Sequence, residues 1–151
     1  MAKYIQIVGT PEGSTQFASM APNFPVKAGA VSSILNGYLV IQDGSNAGYF
    51  AAAPDATDTD SFIFGVANAP STDTVAADGV VNVYRGTRIL ARMFAKTAGS
   101  LVSTMVGSKF ILDVTSGNYT FDQGTTTKGF IHLLEILDAV TGECLVEIYT
   151  S

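Results

Sequence analysis

The sequence predicts an all-β protein of two small β modules with an extended amino-terminal arm, and three observations carry that prediction. Apolar runs are short and rich in β-branched residues, and turn residues interrupt them at the spacing of a sandwich or barrel. Apolar residues make up 47% of the 151, enough for a packed interior. The stretch LNGYLVIQDGSNAGYF at 35–50 is echoed by MVGSKFILDVTSGNYTF at 105–121, with Gly37, Asp43 and Tyr49 lying 70 positions before Gly107, Asp113 and Tyr119.

Taken in order, the predicted strands of the first half are 3–8 (KYIQIV), 38–42 (YLVIQ), 47–52, 61–68 (SFIFGVAN), 79–85 (GVVNVYR) and 88–95 (RILARMFA). Those of the second are 108–114 (SKFILDV), 118–122, 129–137 (GFIHLLEIL) and 143–149 (ECLVEIY). TSGN at 115–118 places Gly117 and Asn118 where a tight hairpin needs positive φ. DAVTGE at 138–143 reads as a hairpin with a bulge or longer loop, and QDGSNAG at 42–48 does the same earlier. SSILNG at 32–37 could form one helical turn, too short to stand alone.

Residues 9–30 break the pattern: three prolines and no periodicity, yet Phe17, Met20 and Phe24 are present. Disordered linkers seldom carry such apolar groups, so the segment is either a loop over its own domain or an arm ordered by a neighbour. The expected organisation is an arm at 1–29, a first module at 30–97 and a second at 98–151.

The echo continues. Phe62 and Ile63 precede Phe130 and Ile131 by 68 positions, and GVVNVY precedes CLVEIY by 65. The drift falls in loops, where insertions cost little. The preserved order reads as an internal duplication, against the alternative of chance matches between β-rich segments. Modules this small are marginal alone, because a core below about 70 residues rarely supplies more than 3–5 kcal/mol net. They are therefore expected to rest on each other, on other subunits, or on both.

Charged residues are only 14%, and the net charge of −5 disfavours nucleic acid as a direct partner. The opening MAKYIQIVGTPEG lacks a signal-peptide core, and no run approaches the roughly 18 residues of a membrane helix. No membrane association is expected, and synthesis is expected in the cytoplasm. Cys144 is the single cysteine and reads as a small buried hydrophobe.

Residues able to carry chemistry are few, and no enzyme, cofactor or resident metal is expected. His132 alternates with Phe130, Leu134 and Ile136 and reads as a histidine hydrogen-bonded in or near a core. DATDTD, with Asp55, Asp58 and Asp60, offers carboxylates to a hard cation but lacks the glycine and distal glutamate of an EF-hand loop, so a solvated loop is the better reading. Glu135 and Glu147 could in principle pair for glycoside hydrolysis, but their flanks read as structural strands. The cations say more: Arg85, Arg88, Arg92 and Lys96 fall within twelve positions with no acid between them. On a strand, Arg88, Arg92 and Lys96 share a face with Leu90 and Phe94. That row is either a solvated face or an interface for an acidic protein surface, including DATDTD of a second copy.

The pattern AGA…NGYLVIQDGSNAGYF…FIFGVANAP…DGVVNVYRG resembles small head-decoration (cement) proteins of tailed bacteriophages, as does the ending GFIHLLEILDAVTGECLVEI; the resemblance covers 30–151. It implies β-tulip or small-barrel modules, frequent homotrimers, and a place on the outer capsid of the virion, bridging major capsid proteins. Residues 1–25 would be the arm, with KYIQIV adding a strand to a capsid-protein sheet. Tyr4, Ile5, Ile7, Phe17 and Phe24, with Arg85, Arg88, Arg92 and Lys96, are the candidate interface residues. Rival readings are a carbohydrate-binding module of a tail or adhesin, stacking sugars on Tyr38, Tyr49, Tyr84 and Tyr119, or a tail-tube subunit.

Overall fold

Alternation is strictest in β7 (Arg88–Ala95): Ile89, Ala91, Met93 and Ala95 are buried while Arg88, Leu90, Arg92 and Phe94 face outward. This strand organises half of the molecule. The computed structural model describes residues 2–9 and 23–151, and these hold eleven strands. They are β1 (Gln6–Gly9), β2 (Asn23–Val26), β3 (Leu39–Gln42), β4 (Phe50–Ala52), β5 (Ile63–Ala67), β6 (Gly79–Tyr84), β7, β8 (Lys109–Thr115), β9 (Asn118–Asp122), β10 (Ile131–Asp138) and β11 (Glu143–Tyr149).

The strands close two five-stranded barrels. The first runs β2-β4-β3-β5-β6; the second runs β7-β9-β8-β10-β11, with β1 added to β7. Position for position the two share strand order and sense. In each, the first strand pairs in parallel with the third and antiparallel with the last. The echo in the sequence therefore coincides with a topological repeat. Closure leaves few open edges, which a small charge-poor sheet needs.

All ten predicted strands are present, and an eleventh, β2, was not foreseen. NFPV hides in a proline-rich stretch, but Phe24 and Val26 alternate around Pro25 and reach the interior of the first barrel. The predicted boundaries also shift. β7, assigned to the first module at 30–97, pairs along its whole length with β11 and belongs to the second barrel. The described parts of the expected arm are structural too: β1 joins β7, and β2 closes the first barrel. Phe17 lies outside the described residues.

Turn chemistry follows the backbone need. Ser116 and Gly117, not Gly117 and Asn118, take positive φ, leaving a two-residue loop between Thr115 and Asn118. Asn118 instead opens β9 and accepts the Lys3 N–H through Oδ1 at 2.7 Å. Residues 32–37 form turns rather than a helix, and Ile34 plugs the first barrel.

The first barrel's own core is small: Phe24, Phe50 and Phe64 cluster, with ring centroids 4.1–5.4 Å apart, among Val26, Val40, Val81 and Val83. Its outward row Leu39–Val66–Tyr84, paired across three strands, belongs to the larger core shared with the second barrel. The barrels are welded there. Tyr38 stacks on Tyr119 at 4.3 Å, and the Tyr119 hydroxyl donates to the Ala53 carbonyl at 2.6 Å. The DATDTD loop lies along β8: Ala56 N–H donates to Leu112 O and Leu112 N–H to Thr57 O, both at 3.1 Å.

At the far end of the first barrel, Asp73 is 1% exposed. Its carboxylate accepts from the Ser33 N–H (3.1 Å) and the Ser33 hydroxyl (2.6 Å), and from the Ser71 hydroxyl. Burial pulls its pKa up, but the bonds from Ser33 and Ser71 outweigh that and hold it below the ordinary carboxylate value. The lowered value stabilises the fold above the unfolded carboxyl's pKa, and that contribution fades as pH falls through the folded one. Asp73→Ala strands these donors and is expected to cost about 2–3 kcal/mol at neutral pH. Urea denaturation of wild type and variant at pH 7 and pH 3 checks this, with the gap narrowing at pH 3.

Candidate interaction surface

The eight predicted interface residues that lie among the described residues do not form one exposed patch. Tyr4 is 49% exposed, but Ile5 is 2% exposed and Ile7 packs partly against the core. Phe24 lines the first barrel. KYIQIV does add a strand to a sheet edge, but the edge is its own β7, with Gln6 opposite Arg92 and Ile7 opposite Ala91. The segment also clasps the seam between the barrels. Ile5 N–H donates to Gly37 O at 3.1 Å, and Tyr119 N–H donates to Lys3 O at 2.8 Å. A continuous apolar alternation is satisfied by any sheet, so the sequence could not say whose edge it would meet.

The cationic row is real: Arg88 and Arg92 lie on the outer face of β7, and Lys96 follows directly after the strand, exposed. It is already balanced, however, by this chain's own acids. Arg88 meets Glu147 at 3.5 Å, Arg92 meets Glu143 at 3.6 Å, and Lys96 meets Asp113 at 3.2 Å and Asp122 at 4.0 Å. Asp113 holds the Lys96 ammonium above its ordinary pKa, with Asp122 adding to it. Arg85 lies apart, its guanidinium 4.0 Å from the Phe64 ring centroid and its Nε buried with no hydrogen-bond partner.

DATDTD is spent within the chain as well. Asp55 accepts the Val114 N–H at 2.8 Å, Asp58 accepts the Asp60 N–H at 2.8 Å, and Asp60 pairs with Lys128. The loop is largely solvent-exposed, as expected, and it is also a strut between the barrels. Among the described residues no group of three or more His, Cys, Asp or Glu could hold a metal ion.

His132 corrects its prediction. It faces outward, between Lys109 on β8 and Glu147 on β11, and its Nδ1 lies 3.8 Å from Glu147 Oε1 without a hydrogen bond. Lys109 covers the neighbouring Tyr149 ring at 4.0 Å. Lys109, His132 and Glu147 form one row across β8, β10 and β11. Cys144 is buried, and burial pushes its thiol up to about 11, which keeps it protonated and unreactive at neutral pH.

Of the four tyrosines a sugar site would use, Tyr84 and Tyr119 are interior, and Tyr49 donates to Asp78. Tyr38 lines a groove. That groove, of about 360 Å³, opens at the barrel seam between Tyr4, Leu35, Asn36, Tyr38 and Pro70. A second, of about 190 Å³, lies across Tyr4 and is lined by Gln6, Arg92, Phe94 and Glu143. No helix among the described residues is long and apolar enough to cross a membrane. The chain matches no protein-family model, no curated protein and no solved structure.

Proposed function

We propose that the chain is a bacteriophage capsid decoration (cement) protein that binds the outer surface of the mature head and stiffens it by bridging major capsid proteins. The observation that carries the reading is the repeated, welded barrel pair: two closed β modules joined by a shared core, with surface charges largely paired off inside the chain. Such a body suits a rigid spacer that contributes contact area and no chemistry. Its contact surface is assigned to the exposed β1–β7 face, where Tyr4, Arg92 and Phe94 surround the smaller groove. Binding only the assembled lattice stabilises it by mass action, and a homotrimer touching several capsomers gains avidity at each later contact. Neither membrane nor nucleic acid takes part in this scheme.

Mixing the purified chain with expanded, undecorated heads is the test. Co-sedimentation with the heads, a higher disassembly temperature and a trimeric mass by sedimentation equilibrium are expected. Heads that pellet without the chain, across the range of phages tried, would refute the reading.

A further inference from the structure

Asn36 is the one asparagine of the chain that precedes a glycine. An asparagine can lose ammonia without an enzyme, when the backbone nitrogen of the next residue attacks its side-chain carbonyl carbon. Glycine hinders that attack least, having no side chain. Asp43 and Asp78 also precede glycines, but each accepts hydrogen bonds as a carboxylate, which is a poor electrophile.

The fold treats the two reacting groups differently. The Asn36 side chain is exposed and hydrogen-bonds to no described residue. Gly37 beside it is buried and fully committed. Its N–H donates to Ala67 O of the first barrel at 2.9 Å, and its carbonyl accepts the Ile5 N–H at 3.1 Å from the segment that clasps the seam. Tyr38 N–H closes the turn on Leu35 O at 3.2 Å, and Gly37 takes the positive φ, 82°, that a type II turn asks of its third residue. The Tyr4 side chain covers the same glycine, since a Cβ there would fall 2.7 Å from Tyr4 Cδ2. The electrophile is free and the nucleophile is tied. Gly37 N cannot turn toward Asn36 Cγ without giving up Ala67, so attack waits for a local opening of the seam, an event that costs less than global unfolding.

We infer that Asn36 is a site of spontaneous deamidation that reacts only when the seam opens, and that its isoaspartyl product bars the seam from closing again. In the first step the bond from Gly37 N to Asn36 Cγ forms while that carbon's bond to its amide nitrogen breaks. Gly37 N gives up its proton, and ammonia leaves. Water then opens the imide at either carbonyl, yielding aspartate or, with the main chain rerouted through the side chain, isoaspartate. No oxidant or reductant is needed. Isoaspartate lengthens the backbone by a methylene immediately before Gly37. That displaces the N–H from Ala67 and the carbonyl from Ile5, at a place without room even for an added Cβ. The site is a one-way latch on the seam. This goes beyond the capsid reading and does not rest on it.

The test incubates the full chain in mildly alkaline buffer, with and without concentrated urea. Peptide mass mapping and isoaspartyl methyltransferase labelling follow each asparagine. In urea, Asn36 is expected to convert before any other. In native buffer its conversion should be slower by about tenfold or more, because the tied nitrogen reacts only in the open fraction. Asn36→Gln, on an exposed side chain, should remove the product in both conditions. The purified isoaspartyl chain, refolded, is expected to melt at a lower temperature than Asn36→Asp, which adds the same charge without lengthening the backbone. Equal rates with and without urea, earlier conversion of another asparagine in urea, or an isoaspartyl chain that melts with Asn36→Asp or above it would overturn the inference.

Discussion

Replacing Tyr119 with alanine is expected to cost about 3–5 kcal/mol, the range for deleting a large aromatic from a well-packed core. The ring fills space between the barrels, stacking on Tyr38 at 4.3 Å, and its hydroxyl satisfies the Ala53 carbonyl at 2.6 Å. Loss of both should also uncouple the halves. Wild type is expected to unfold in one transition, and the variant in two, with the first barrel melting first because its own core is the smaller. Calorimetry distinguishes the cases, and a single sharp transition in the variant would count against a shared core. Tyr119→Phe isolates the hydroxyl: it leaves one carbonyl unpaired and is expected to cost about 1–2 kcal/mol. Burial pushes the Tyr119 phenol up well above its ordinary pKa, with the Tyr38 charge adding to this. The raised value means that its contribution is whole below about pH 10 and lost as pH rises toward the folded pKa. Tyr119→Phe should accordingly flatten the alkaline limb of the stability profile.

Gly65→Ala is expected to cost more than about 4 kcal/mol, in the exceptional tail of single substitutions. A Cβ there would lie 2.3 Å from the Tyr84 carbonyl oxygen and 2.7 Å from Val83 Cγ1. The first obstacle is backbone in the neighbouring strand β6, so no rotamer change relieves it. The pairing of Val66 with Tyr84 and Ala67 with Val83 would have to open. Far-UV circular dichroism and urea denaturation of the variant check this, and stability within 1 kcal/mol of wild type, roughly the scale of an ordinary surface change, would show that β5 and β6 separate easily.

Much of this architecture was legible because closed β-barrels obey local rules. RILARMFA alternates, and so does β7; Gly117 and Asn118 mark TSGN as a tight turn, and the hairpin is there, turning one residue earlier at Ser116 and Gly117. The echo between halves also survived, as matching strand order. Its individual residues did not. Asp43 accepts from Ser45 and Asn46 in a turn, whereas Asp113 is buried inside β8 and holds Thr115, Thr120 and Lys96. The same residue type at the same point of the repeat does two jobs, because one barrel has a long loop where the other has two residues.

The candidate surface was legible only in part. Arg88 and Arg92 share a face because a strand has a period of two, and Lys96 follows the strand directly. That Glu143, Glu147, Asp113 and Asp122 would neutralise them depends on which strands lie alongside. KYIQIV announced a strand without naming its partner, and DATDTD announced a polar loop without announcing a strut. NFPV went unseen since four residues around a proline carry too little pattern to outweigh their neighbours.

Residue order alone thus settled the all-β class, every strand but β2 and the doubling of the module, because each is written in short local patterns and their recurrence. Pairing between strands, the division of β7 from the first barrel, the weld at Tyr119 and the seam beside Tyr4 came from the tertiary structure. Those features join groups as many as 116 positions apart, as Lys3 and Tyr119 are. No local period encodes such a meeting, which is decided only when closure of both barrels leaves each buried group one place to go.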